Sequence, residues 1–324
     1  MPFDRDRTKS AVALLAAESV FVGTSSWKYS GWRGMLYDEQ RYAWRGKFAE
    51  SRFKDNCLAE YTEVFKTVCV DGAYYRFPDQ RYLEKMVTAV PDDFQFGFKV
   101  TDEITLKKFT NLPRFGERAG KPNENFLNAD LFVRAFLKPC ETFRKNVGLL
   151  MFEFSKFYQT DYEHGRDFIA DLDKFFSQLP KGWPYGVEIR NKNFLKPEYF
   201  TVLKQHGVAH VFNNSWDAMP PVSEQMAVPG SRTNPNLLAA RFLLKPGRKY
   251  EEAVRKFQPY DKVQEPYLEA RAAGKALIAE GKAAGPERKT FIYVNNRLEG
   301  NALETIDEML ERVTAQGSAG TFSH

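Results

Sequence analysis

The sequence predicts a single α/β domain folded as a TIM-like (β/α)8 barrel of parallel strands, with a leading helix and long loop insertions. Three observations point there. Eight short apolar runs alternate with segments of helical spacing, and a parallel pair of strands needs such a crossover between its members. The runs are nearly continuous in apolar residues, as expected of strands covered on both faces. No G-x-G-x-x-G follows the first run, which argues against an open, doubly wound dinucleotide-binding sheet.

Residues 1–18 (MPFDRDRTKSAVALLAAE) carry both charge signs around a short apolar core, so they read as a leading helix rather than a signal peptide. The barrel is expected over 19–313. Its first strand, Val20 to Ser25, runs into an aromatic loop from Trp27 to Tyr37, and Phe48 to Tyr61 has helical spacing. Thr67 to Val70 is the second strand, ending on Asp71 and followed by Tyr74, Tyr75 and Arg76. A short helix over Asp79 to Ala89 leads to the third strand, Phe94 to Val100, which delivers Lys99 and Thr101. Glu103 to Asn128 is polar, rich in Pro, Gly and Asn, and too long for a plain connection, so it reads as an insertion overhanging something.

Ala129 to Asn146 reads as one amphipathic helix before the fourth strand, Val147 to Phe154, which is interrupted by Glu153. Gly165 to Leu179 is a helix closed by Pro180. The fifth strand lies in YGVEIRNKNF (Tyr185 to Phe194). By the period of two, Glu188 and Arg190 face the side opposite Val187 and Ile189, and the reading requires those two charges to face the barrel mouth. A helix over Pro197 to Gln205 precedes the sixth strand, Val208 to Phe212, which runs out into Asn213, Asn214 and Ser215. A Pro- and Ser-containing connection from Pro220 to Pro235 leads to the seventh strand, Leu237 to Leu244, whose single charge is Arg241. Tyr250 to Tyr260 and Pro266 to Glu280 read as helices, and Gly281 to Glu287 as a flexible loop. The eighth strand, Thr290 to Val294, ends on Asn295, Asn296 and Arg297. Ala302 to Val313 closes the domain, with a mobile Gly/Ser tail at 314–324.

The composition is globular, with 43% hydrophobic and 27% charged residues. Forty-seven Lys and Arg against 42 Asp and Glu leave +5, an excess that favours an anionic ligand without demanding nucleic acid. Cys57, Cys69 and Cys140 are odd in number and widely spaced, with no C-x-x-C, which fits the reducing cytoplasm and neither a disulfide framework nor a zinc knuckle. His206 and His210 are four apart, but Gly207 interrupts the helix and no Glu follows the first His, so this is not a zinc-protease motif. No run approaches the 18 or so apolar residues of a membrane span.

A buried Glu or Arg is costly unless paired, so an E-x-R at one strand end could be a structural ion pair. Polar endings on all eight strands point instead to a site, because the C-terminal mouth of such a barrel is where binding and chemistry occur. Glu188 as general base, Glu153 as general acid and Lys99 are the candidate catalytic residues. Two carboxylates in one mouth should repel, so that one titrates high and keeps its proton. Lys99, Arg190 and Arg241 suit a phosphate or carboxylate. Ser25, Trp27, Tyr75, Arg76, Asn213, Asn295 and Asn296 complete the candidate binding set. Bland readings stand beside several of these: Asp71 as a turn cap, Asn295 and Asn296 as partners of loop backbone, and Trp27, Trp32, Tyr74 and Tyr75 as packing. Asp71, Glu153 and Glu188 offer three oxygens to magnesium or manganese if geometry allows; no cofactor is specified by the sequence.

The stretches VGTSSWKYSGWRG, FKTVCVDGAYYRFPD, FQFGFKV, NVGLLMFEF, YGVEIRNKNF and FIYVNNRLEGNAL resemble, in that order, the family labelled domain of unknown function 72, a TIM-barrel family. The resemblance implies that Thr24, Ser25, Trp27, Tyr75, Arg76, Lys99, Glu188, Arg190, Arg241, Asn295, Asn296 and Gly300 belong to the family pattern. It transfers no activity. The chain departs from that pattern at Cys69, Asp71 and Gly72, where the family reads V-E-I-N-S-T-F-Y-R. It departs again at Glu153, Ser155 and Lys156, in place of a glutamine and prolines, and at Asn213, in place of an aspartate. The sequence therefore points to an enzyme on a small phosphorylated or carboxylated, sugar-like substrate, by hydrolysis, isomerisation or elimination. The alternatives are a barrel that binds nucleic acid or processes phosphodiesters, which the intermixed charges disfavour, and a non-catalytic ligand sensor.

Overall fold

The structure, a computed structural model, describes residues 3–215 and 219–315, with side chains as far as residue 310. Eight strands, β1 (Val20–Thr24), β2 (Thr67–Val70), β3 (Gln95–Lys99), β4 (Val147–Glu153), β5 (Tyr185–Glu188), β6 (Ala209–Asn214), β7 (Leu237–Phe242) and β8 (Lys289–Val294), pair in parallel and close into a barrel in the order β1-β8-β7-β6-β5-β4-β3-β2. Strand residues alternate between two apolar environments, as a covered barrel requires. Phe21, Leu149, Met151, Val211, Ala239 and Tyr293 fill the interior. Val187 and Ile189 belong to the larger core beneath the helices, which leaves Glu188 on the inward side.

The β1–β2 seam is the narrowest part of the closure, with the single register pair Thr24↔Val68. It is held from outside by Tyr61, whose hydroxyl receives the Thr24 N–H at 3.1 Å and donates to the Thr67 carbonyl at 2.9 Å. Gly23 makes the approach sterically feasible, since a Cβ there would run into the Thr67 carbonyl oxygen. The leading helix, Arg5–Ala17, is capped by Asp4, whose side chain accepts from the Arg7 N–H, and buries Val12 and Leu15. No helix of the described residues is long and apolar enough to cross a membrane. The three cysteines are buried free thiols.

Two expectations are corrected, and two connections hold more structure than their sequences signal. The segment expected as one helix over Ala129 to Asn146 is α-helical at Ala129–Phe132, a π-turn at Val133–Leu137, α-helical again at Lys138–Cys140 and 3₁₀ at Glu141–Asn146. Pro139 has no N–H for the carbonyl four residues back, and the Lys138 N–H reaches Val133 instead. Gly281 lies inside the helix Leu268–Ala284, not in a loop. A Cβ at Gly281 would stand 2.9 Å from both Val20 and Thr290, so this glycine is there for close helix–strand packing. The 220–235 connection contains a helix, Val222–Ala227, and the stretch after the aromatic loop carries a hairpin pairing Ala43–Trp44 with Lys47–Phe48. That hairpin turns on Arg45 and Gly46, both at positive φ, without the Asn-Gly signal that marks most such turns. The expected tail lies outside the described residues from 316 onward.

The insertion after β3 is ordered by its own contacts. Leu106, Phe109 and Phe115 form a small apolar core. The Asn123 amide donates to the carbonyls of Glu103 and Leu106 at 2.8 and 2.7 Å. It stands as a fixed wall over the C-terminal ends of the strands.

Candidate functional site

Parallel pairing of β4 with β5 makes Glu153 and Glu188 register partners, which sets two inward carboxylates side by side. Such a pair survives burial only with cations between the charges. Arg241, from β7 across the barrel, donates through Nη1 to Glu153 Oε2 at 2.6 Å and Glu188 Oε2 at 2.7 Å. Arg190, just past β5, approaches Glu153 Oε1 at 2.9 Å and Glu188 Oε1 at 3.2 Å. Lys99, at the end of β3, reaches Glu153 Oε2 at 2.9 Å and lies 4.0 Å from the centre of the Tyr74 ring. Asp71, one residue past β2, stands 3.8 Å from both Lys99 Nζ and Arg241 Nη2.

The electrostatics follow from this packing and correct the expected acid. Burial by itself would raise the Glu153 pKa, but Arg190, Lys99 and Arg241 together outweigh it and hold the carboxyl well below its usual range. The three cations that converge on Glu153 outweigh the repulsion expected from Glu188. Burial would also lower Lys99, yet Glu153 and Asp71 reverse that and raise it, so Lys99 is a fixed cation rather than a base. Arg190 and Arg241 are raised in the same way. Of the three carboxylates, Asp71 is the most open, with its side chain 33% exposed against 6% for Glu153 and 0% for Glu188.

Above this cluster lies a cavity of about 610 Å³. Six basic side chains line it, Lys99, Arg114, Lys156, Arg190, Arg241 and Arg297, against Asp71 and Glu153. Tyr74, Tyr75, Tyr158 and Tyr250 supply aromatic surface, and the last three are 61%, 65% and 44% exposed. Three buried polar atoms of residues lining it, Asp71 Oδ1, Ser215 Oγ and Arg241 Nε, have no hydrogen-bond partner among the described residues. Unpaired polar atoms in a cavity of this size are docking points for a polar ligand.

The other expected site residues lie elsewhere. Glu188 is sealed beneath Arg190 and Arg241 and does not line the cavity. Ser25 and Trp27 are buried off the cavity; the Ser25 hydroxyl has no hydrogen-bond partner among the described residues, and Trp27 packs in the outer core. Asn213 donates to the carbonyls of Ile189 and Val211 at 3.1 and 3.3 Å. Asn295 and Asn296 accept from the backbone N–H groups of Arg297 and Ala302, so they shape the loop after β8. Arg76 points to a neighbouring cleft with Phe77 and Arg118 and lies 3.8 Å from Asp79. Tyr75, Lys99, Glu153, Arg190 and Arg241 do come together. Sequence reasoning missed Arg114, Tyr158 and Tyr250. Arg114 sits in the insertion, where it pairs with Asp102, and only the folded path of that loop brings it over the mouth. Among the described residues no cluster of three His, Cys, Asp or Glu side chains is placed to hold a metal ion. The oxygens of Asp71, Glu153 and Glu188 are separated by the arginine and lysine nitrogens.

A search of curated proteins finds no match. Among solved structures the chain is similar to a DUF72 family protein from Enterococcus faecalis, at 18% identity and a TM-score of 0.60, over 92% of this chain and 98% of that one. It is similar also to a DUF72 family protein from Thermotoga maritima, at 19% identity and a TM-score of 0.58, over 92% of this chain and 99% of that one. At such identities the likeness shows the fold alone. The family profile described as "Protein of unknown function DUF72" matches residues 21–321, nearly the whole barrel, and the chain therefore belongs to the DUF72 family.

Proposed function

We propose that the barrel mouth binds a small ligand carrying a phosphate or carboxylate on a polar, sugar-like frame, and that the protein acts on it as an enzyme. The observation that carries this reading is the cavity with six basic side chains, three of them held from below by Glu153 and Glu188. Glu153 and Glu188 offset two of the three inner cations and hold them in place, and the guanidinium groups can present remaining N–H donors upward. Arg190 and Arg241 would hold the anion, with Lys99 behind them. Tyr75, Tyr158 and Tyr250 would pack against the frame.

Asp71, the most open carboxylate, replaces Glu153 in the role of proton carrier. It borders the cavity, and neither Lys99 nor Arg241 is close enough to occupy it by a hydrogen bond. Proton transfer at one carboxylate suits hydrolysis, isomerisation and elimination alike. The three buried free thiols fit a reducing compartment, and we place the protein in the cytoplasm on that ground.

Thermal unfolding in the presence of phosphorylated and carboxylated sugars, followed by product analysis for each stabilising compound, tests the reading. A ligand at a hundred times its Kd stabilises by about 2.7 kcal/mol, a shift of several degrees. A panel giving neither stabilisation nor turnover would remove the proposal. Binding without turnover would favour a sensor. Binding confined to oligonucleotides, with a steep salt dependence, would favour the nucleic-acid reading.

A further inference from the structure

Beside the mouth lies a second cavity, of about 400 Å³, for which the ion cluster gives no reason. The two share the lining residues Leu106, Thr110, Ser155, Lys156 and Tyr158, so they are lobes of one depression divided by the segment after β4. The fixed insertion walls the outer lobe and presents Lys107, Lys108 and Asn111 to it from one side, while Lys156 and Tyr158 face them from the other.

The charges in this lobe are unevenly matched. Among the described residues, neither Lys108 nor Lys156 has a carboxylate within ion-pair distance. The Lys107 ammonium rests over the Tyr162 ring, 3.3 Å from its centre. The acid on the lining is Asp161, and its Oδ2 accepts the Tyr158 N–H at 2.8 Å, closing the turn that carries Tyr158. Lys107 also has Asp171, Asp161 and Asp167 near it, so the unmatched charges of the hollow are Lys108 and Lys156, which repel one another unless an anion enters. In the inner lobe, by contrast, Lys99, Arg190 and Arg241 sit against the buried Glu153 and Glu188.

We propose that the outer lobe is a second anion subsite, and that the natural ligand carries two separated anionic groups, one on Arg190 and Arg241 and one on Lys108 and Lys156. This rests on the anion-binding reading of the mouth and adds to it the class of ligand: an elongated bis-anion, such as a sugar bisphosphate. Linking two weak contacts in one molecule makes the second contact intramolecular, so a bis-anion gains more than added charge.

Isothermal titration with fructose 6-phosphate and fructose 1,6-bisphosphate, at about 0.15 M salt to screen long-range attraction, separates the outcomes. The bisphosphate should bind at least about tenfold more tightly than the monophosphate. Lys108→Ala, an exposed change off the mouth, should erase that gain while leaving the monophosphate affinity and the melting temperature unchanged. If the monophosphate binds and the bisphosphate binds no tighter, or if the gain survives Lys108→Ala, the second subsite is wrong and the reading of the mouth stands. If neither compound binds, both fall.

Discussion

Replacing Arg241 by methionine is the most informative single perturbation of this protein. In the native cluster one guanidinium nitrogen bridges Glu153 and Glu188 at 2.6 and 2.7 Å, with the arginine side chain 4% exposed. Without it Glu153 retains Lys99 and Arg190, but Glu188 keeps only Arg190, at 3.2 Å. The register partners are then two neighbouring buried carboxylates sharing one guanidinium. Removing one member of a buried ionic network costs about 3–5 kcal/mol, because the charges left behind stay desolvated. An unfolding entropy of about 2.1 cal/mol/K per residue gives on the order of 0.7 kcal/mol/K for a chain of 324 residues, so the melting temperature should fall by about 4–7 °C at pH 7.

The sign of the pH dependence is a further check on R241M. In the variant, repulsion raises the folded-state pKa of one carboxylate above its unfolded value of about 4.3. A carboxylate with a raised folded pKa takes up its proton in the native state first, so the variant gains stability relative to wild type as the pH falls through that folded pKa. Its deficit should narrow between about pH 7 and pH 5. E188Q added to R241M should recover part of the loss at neutral pH, since it removes the orphaned charge. Differential scanning calorimetry of the four proteins across pH decides this. A shift under about 1 °C for R241M, or the same deficit at pH 5 and pH 8, would mean that water already screens the cluster and that the buried network does not exist as described.

Asp71→Asn should change the melting temperature little, because its partners stand at 3.8 Å. It should tighten binding of an anionic ligand at least about fourfold by removing a like charge from the mouth. It should also abolish turnover of any substrate found; retained turnover would return proton transfer to another group. Burial pushes His210 down to about 3, so native His210 stays neutral while the unfolded chain protonates it near 6.5. Its contribution is present above about pH 6.5 and is lost toward pH 3, at about 1.4 kcal/mol per pH unit. Denaturant titrations between pH 4 and 6 should accordingly be flatter by one proton in His210→Gln, and an unchanged slope would show that His210 titrates normally. Gly281→Ala, which would stabilise an exposed helix by about 1 kcal/mol, should here destabilise by about 1–3 kcal/mol because its methyl meets Val20 and Thr290. A rise in melting temperature would show that the helix can move away from the strand.

The strands were legible because apolar runs bounded by polar residues are set by local chemistry: each of the eight can be found without knowing its neighbours. The period of two placed Glu188 and Arg190 opposite Val187 and Ile189, and the count of eight strands implied a closed barrel whose C-terminal end gathers the polar residues. Thus Lys99, Glu153, Arg190 and Arg241 could be named together from sequence, although they lie up to 142 positions apart, as the distance from 99 to 241 shows. Asn295 and Asn296 could not be told from ligand contacts, because whether an asparagine meets a ligand or a backbone N–H depends on the path of the loop that carries it.

Only the tertiary structure decided the charge of Glu153 and the make-up of the site's walls. Beside Glu188 alone, Glu153 reads as an acid; the sum of three cations converging from β3, β5 and β7 reverses the direction of its shift, and that sum exists only after closure. Arg114 reaches the mouth because Leu106, Phe109 and Phe115 fold the insertion back over the strands, a result of contacts specific to that loop. Strand identity depends on a few neighbouring residues. A pKa or a cavity wall depends on distances between residues far apart in the chain, and the chain sets those distances only when it folds.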